Sequence, residues 1–129
     1  MQSREQVKQQ LTTLGYGAHT HIHAGFRALE TILDPDERLI AVLPGTYRSL
    51  QGVAAVTDRR VIFAGQRGGL IKRREMEQFL FRSISSVDIQ HGRAFGKLTV
   101  ITSGKSGTID QVPNTALDGF AAALRSRLT

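Results

Sequence analysis

Three clusters of side chains in this 129-residue chain could do chemistry. In "HTHIH", His19, His21 and His23 recur at every second residue. On an extended strand their imidazoles would face one way, and a His-x-His pair can bind zinc, nickel or copper. The neighbouring Gly15 and Gly17 predict a loop instead, and no Asp or Glu lies within five residues to orient a ligand set. These three are metal candidates only, and no metal or other cofactor is expected. The second cluster is "GQRGGLIKRR", which brings Arg67, Lys72, Arg73 and Arg74 into one short segment. The third is "TDRR", Thr57 to Arg60, set between two apolar runs.

Catalytic constellations are not visible. There is no cysteine, so there is no disulfide, thiolate nucleophile or Cys-based zinc site. Acid–base work needs paired groups in a cleft, yet the carboxylates are scattered, and Asp34, Asp36 and Glu37 read as a polar turn after a helix. No G-x-S-x-G elbow, P-loop or dinucleotide fingerprint occurs. The expectation is a protein that is not an enzyme.

The elements that must position these residues follow from periodicity. Ser3 and Gln6 have capping-box spacing ahead of Val7, Leu11 and Leu14, which predicts a first helix ending at Gly15. Phe26, Leu29 and Leu33 stripe a second helix over 24–33, closed by Asp34-Pro35. From Arg38 the period shortens. "RLIAVLPG", "LQGVAAVT", "RVIFAG", "QFLF", "SSVDIQ", "GKLTVITS" and "GTIDQV" are about seven short β-favouring runs, the pattern of an antiparallel sandwich or barrel. "LIKRREMEQFLF" predicts an edge strand with a charged face to water. From Pro113-Asn114 the pattern returns to helix, with Leu117, Phe120, Ala121, Leu124 and Leu128 on one stripe.

Length sets one domain with a single core of real size. No apolar run approaches the ~20 residues of a bilayer span, and "MQSREQVKQQ" lacks the apolar region of a secretory signal. A cytoplasmic protein is expected. Net charge is +6, unevenly placed. Residues 1–38 carry −1, residues 39–112 carry +6 and residues 113–129 carry +1. That middle excess points to an anionic partner or to a merely solvated basic face. Nucleic acid is not expected, because single-strand binders interleave cations with exposed aromatics. Here only Tyr16, Tyr47 and Phe95 could be exposed near basic residues.

"AVTDRRVIFAG", "FRSISSVDI", "GKLTVITSG" and "VPNTALDGFAAALRSRL" follow in order. Together they resemble the bacterial pleckstrin-homology (PH)-like domains of the YokE-like type, over roughly residues 36–128. The resemblance implies a mainly β fold with α: a seven-stranded antiparallel PH-like barrel or sandwich capped by a C-terminal helix. Residues 1–35 would be an N-terminal helical extension and 36–129 the PH-like domain. It also implies that Thr57, Asp58 and Arg60 form a structural turn, with Arg60 pairing with a carboxylate.

In lipid-binding PH barrels the ligand sits among the loops after strands one, three and six. Here those loops offer Arg48, then Arg67, Lys72, Arg73 and Arg74, then Lys105. Arg48 is the sole cation from Pro44 to Thr57 and tryptophan is absent, so specific inositide recognition is not expected. Two functions are carried forward. The favoured one is a protein-interaction or self-assembly module, a homo-oligomer whose extended fourth strand and Val7, Leu11, Leu14, Phe26, Leu29 and Leu33 stripes bury against another subunit. The alternative is salt-sensitive docking to anionic lipid headgroups, or to other anions, through the six loop cations.

Overall fold

The computed structural model describes residues 3–16, 23–68 and 72–128. His19 and His21 lie outside the described residues. Helix α1 spans Arg4–Thr13 and α2 spans Ala24–Ile32. Seven strands follow: β1 Leu39–Tyr47, β2 Leu50–Thr57, β3 Arg60–Arg67, β4 Arg73–Leu80, β5 Ile84–Gln90, β6 Phe95–Thr102 and β7 Ser106–Pro113. The chain ends in α3, Asn114–Ser126.

Helix α1 begins with the capping box its sequence implies. Ser3 Oγ accepts from Gln6 N at 3.2 Å, and the Gln6 side chain accepts from Ser3 N at 3.0 Å. Two orphan N–H groups are thereby satisfied reciprocally. The strands form one curled antiparallel sheet in the order β4-β3-β2-β1-β7-β6-β5, so β4 and β5 are its margins. β7 turns a corner to reach both neighbours. Its register against β6 shifts between Gly96 and Leu98, Gln111 takes φ of 54°, and Asp110 pairs with Thr46 of β1.

β2 and β3 read as nearly continuous apolar runs because both their faces are covered. Ala54, Val56, Val61 and Phe63 point into the barrel, where Leu117, Phe120 and Leu124 of α3 close the core. Val53, Ala55, Ile62 and Ala64 point outward under α1 and α2. On that outer side Val7, Leu11, Phe26, Leu29 and Leu33 are fully buried, with Leu14 packed against them.

This corrects the reading of those six residues as a face for another subunit. The outer face of β1–β3 is itself apolar, and the chain's own helices cover it. Leu11→Asp is therefore expected to unfold the helical layer, lowering the melting temperature, not to split an oligomer into folded monomers. Light scattering combined with a thermal melt distinguishes the two outcomes. Tyr47 is likewise corrected, since it is buried in the barrel core; Phe95 is exposed and Tyr16 partly buried. Among the described residues, no helix is long and apolar enough to cross a membrane.

Candidate anion-binding groove

The "TDRR" turn is a clamp. Thr57 Oγ1 accepts the N–H groups of Arg59 and Arg60, each at 3.0 Å, and donates to Glu37 Oε2 at 2.7 Å. Asp58 ties the turn to the segment ahead of β1, accepting from Arg38 N at 3.1 Å and donating its own N–H to Arg38 O at 3.0 Å. Arg60 grips the buried Glu37 with Nε to Oε2 at 2.9 Å and Nη2 to Oε1 at 2.7 Å. It also donates to Gln78 Oε1 and to the carbonyl of Ile32 at the end of α2. Arg59 pairs with Asp34 and Asp36. Glu37 thus belongs to a buried charge network rather than to a solvated turn. A cue for it existed in sequence only as the need of Arg60 for a carboxylate.

The six basic candidates do not share one site. Arg48 turns back on its own barrel end, 3.6 Å from Glu75 Oε2 and 3.3 Å from Glu77 Oε2, with its guanidinium 5.4 Å from the Tyr47 ring centroid. The Tyr47 hydroxyl donates to Glu77. Burial, reinforced by that bond, pushes the phenol pKa up. Lys105 donates to the carbonyl of Gln78 at 3.1 Å and lies over the Phe79 ring. Its ammonium caps a backbone acceptor on the outer margin of β4, which hinders edge pairing.

Arg67, Lys72, Arg73 and Arg74 do come together, in a groove of about 610 Å³ between α2 and the β3–β4 hairpin. Arg27 of α2 is the fifth cation there, beside Gln66 and Gly68. Its place follows from helix geometry. The Phe26/Leu29 stripe faces the sheet, which leaves Arg27 and Thr31, four residues apart, on a flank toward β4. Thr31 Oγ1 accepts from Arg74 Nη1 at 2.6 Å, joining α2 to that strand. The natural helical partner of Arg27, Glu30, is taken by Arg4 at 3.4 Å.

No carboxylate lines the groove among the described residues. Arg73 touches Glu75 at 3.3 Å, an acid it shares with Arg48. Arg27, Arg67 and Lys72 have no ion-pair partner among the described residues. Sequence reasoning missed Arg27 because it lies in the segment of net negative charge.

Of the two described histidines, His23 caps α2, its Nδ1 accepting from Gly25 N at 3.2 Å, and His91 meets Asp118 at 3.0 Å. Among the described residues no group of three ligating side chains converges.

A curled seven-stranded sheet, a capping helix and a cation-lined groove define a PH-like binding module. The chain belongs to the bacterial PH domain family: the model described as "Bacterial PH domain" matches residues 33–126. In structure it is similar to a DUF1696 family protein with a pleckstrin-homology domain from Shewanella loihica PV-4. The TM-score is 0.55 at 15% identity, covering 80% of this chain and 89% of that one. It is also similar to a pleckstrin homology domain from Shewanella amazonensis SB2B, with TM-score 0.54, 15% identity and 80% and 84% coverage. At such identity the likeness concerns the fold. No curated protein matches the chain in sequence.

Proposed function

We propose that this chain is a non-enzymatic binding module that docks an anionic partner through the groove between α2 and the β3–β4 hairpin. One observation carries the reading: five cationic side chains line one concavity, and no carboxylate lines it among the described residues. The apolar stripes of the N-terminal helices are buried within the chain, which favours the groove over those helices as the working surface. The groove offers charge as its means of recognition. Each basic side chain near an anionic bilayer contributes about 1 kcal/mol, so this group gives a salt-sensitive association.

Flotation with neutral and phosphatidylglycerol vesicles at low and high salt tests it. The native chain is expected to float with the anionic vesicles at low salt only. The Arg67→Glu/Arg73→Glu double variant is expected to stay in solution with its fold and particle mass unchanged. Equal flotation of that variant would move the docking surface elsewhere.

A further inference from the structure

We infer that the groove is a composite site for a phosphate-dense anion, and that the N-terminal extension is half of it. The inference rests on the docking reading above and goes further in two respects: it names the ligand chemistry, and it makes α2 a wall of the site. Of the three loops that the resemblance singled out, only the one after β3 helps to build it. Arg48 is engaged by Glu75 and Glu77, and Lys105 by Gln78 and Phe79, whereas Arg27 comes from outside the barrel.

Four of the five cations are arginines, whose planar forks match the oxygens of phosphate in pairs. They approach from three elements: Arg27 from α2, Arg67 from the end of β3, and Arg73 and Arg74 from the start of β4, with Lys72 just ahead of it. Convergence from several sides suits a compact ion with oxygens in all directions better than a flat carboxylate. Five positive charges with at most one shared acid exceed what a single phosphate neutralises. The groove, of about 610 Å³, is far larger than the space one water molecule needs, so its size does not restrict it to a single phosphate.

A coupling follows from the geometry. The link from Thr31 to Arg74 already holds α2 against β4. An anion bridging Arg27 to Arg67 and Arg73 adds a second tie between the same elements. Anything that binds the docked state alone stabilises it, so ligand must slow the local opening of α2.

Calorimetric titration of the full chain with tripolyphosphate and with citrate, beside flotation on phosphatidic acid vesicles, tests this. Hydrogen exchange of α2 with and without tripolyphosphate supplies a readout that general surface charge does not move. The variants are Arg27→Ala, Arg73→Ala and, as an exposed cation on the β5–β6 turn that does not line the groove, Arg93→Ala. Tripolyphosphate is expected to bind the native chain and Arg93→Ala alike, to bind Arg27→Ala and Arg73→Ala at least tenfold more weakly, and to slow exchange in α2. That result would point to a soluble polyanion. The same pattern seen only on phosphatidic acid vesicles would assign the phosphates to a lipid headgroup. Citrate binding as tightly as tripolyphosphate would overturn the phosphate assignment. Undiminished binding by Arg27→Ala, while Arg67→Glu/Arg73→Glu binds nothing, would overturn the composite site and leave anion docking standing. No binding to tripolyphosphate, citrate or phosphatidic acid vesicles would overturn both.

Discussion

Replacing Arg60 by Met is expected to cost about 3–5 kcal/mol of stability, because it removes the guanidinium and leaves the buried carboxylate of Glu37 to neutral donors, the Thr57 hydroxyl and the Asp34 N–H. Glu37 is 1% exposed, so water cannot take over. A domain of this size has only about 5–15 kcal/mol in total, and the melting temperature should fall by roughly 10 °C or more. The companion experiment is Glu37→Leu combined with Arg60→Met. Removing both charges should restore much of the loss, since a well-packed apolar pair is often as stable as a buried ion pair. A single Arg60→Met variant that melts with the native chain would show that the network adds nothing.

The same network sets an acid limit. Burial by itself pushes the Glu37 carboxyl up, but the Arg60 fork, the Thr57 hydroxyl and the Asp34 backbone outweigh it, and the pKa is lowered from 4.5. Folded Glu37 therefore takes up a proton less readily than the unfolded chain does. Its contribution is complete above about pH 4.5 and is lost as pH falls through the lower folded value. Denaturant melts between pH 6 and pH 3 should show a fall in stability that is shallower in Glu37→Gln. Equal slopes would place the acid sensitivity elsewhere.

Gly25→Ala is the second substitution with a large expected effect, and it ties fold to site. A Cβ on Gly25 would lie 2.6 Å from the carbonyl carbon of Gly52 and 2.9 Å from both Gly52 O and Val53 N. All three are backbone atoms of β2, so the helix must lift. Overpacking of this kind costs about 1–3 kcal/mol. It also draws Arg27, two residues along the helix, away from the hairpin. Anion binding should weaken together with stability. Gly119→Ala is the natural comparison. It lies in α3 with nothing within 4 Å of its added Cβ, and Ala there should add about 0.5–1 kcal/mol, since glycine is a poor helix residue. If both variants melt like the native chain, close packing of α2 on β2 is not what holds the extension in place.

Much of the architecture is legible in the residues because it depends on short-range rules. Ser3 and Gln6 announce α1, and the period-two runs from Arg38 onward announce strands. Thr57 and Asp58 announce a turn, and the stripe of Leu117, Phe120 and Leu124 announces a helix that must bury one side. An edge strand at "KRREMEQFLF" is visible from its alternating charge, and β4 is a margin of the sheet. What misled the reading was an apolar stripe with two possible destinations. Phe26 and Leu29 need an apolar surface, but their spacing does not say whose. The deciding fact is that Val53, Ala55, Ile62 and Ala64 face outward on the same chain. Nothing in a run buried on both faces separates inner from outer residues until the sheet is folded.

The site divides along the same line. Arg67, Lys72, Arg73 and Arg74 cluster in sequence because one hairpin carries them, so local spacing alone brought them to notice. Arg48 and Lys105 resemble them in charge, yet Glu75, Glu77 and Gln78 approach from β4 and occupy them. Arg27 and Glu37 look ordinary in a segment of net charge −1. One becomes a wall of the groove and the other the buried partner of Arg60 only once α2 docks across the sheet. By itself the sequence determined the elements, their order and the cationic hairpin, since these rest on neighbours a few residues apart. The tertiary structure alone decided which charges remain available and which are spent, because that depends on contacts between residues more than twenty positions apart.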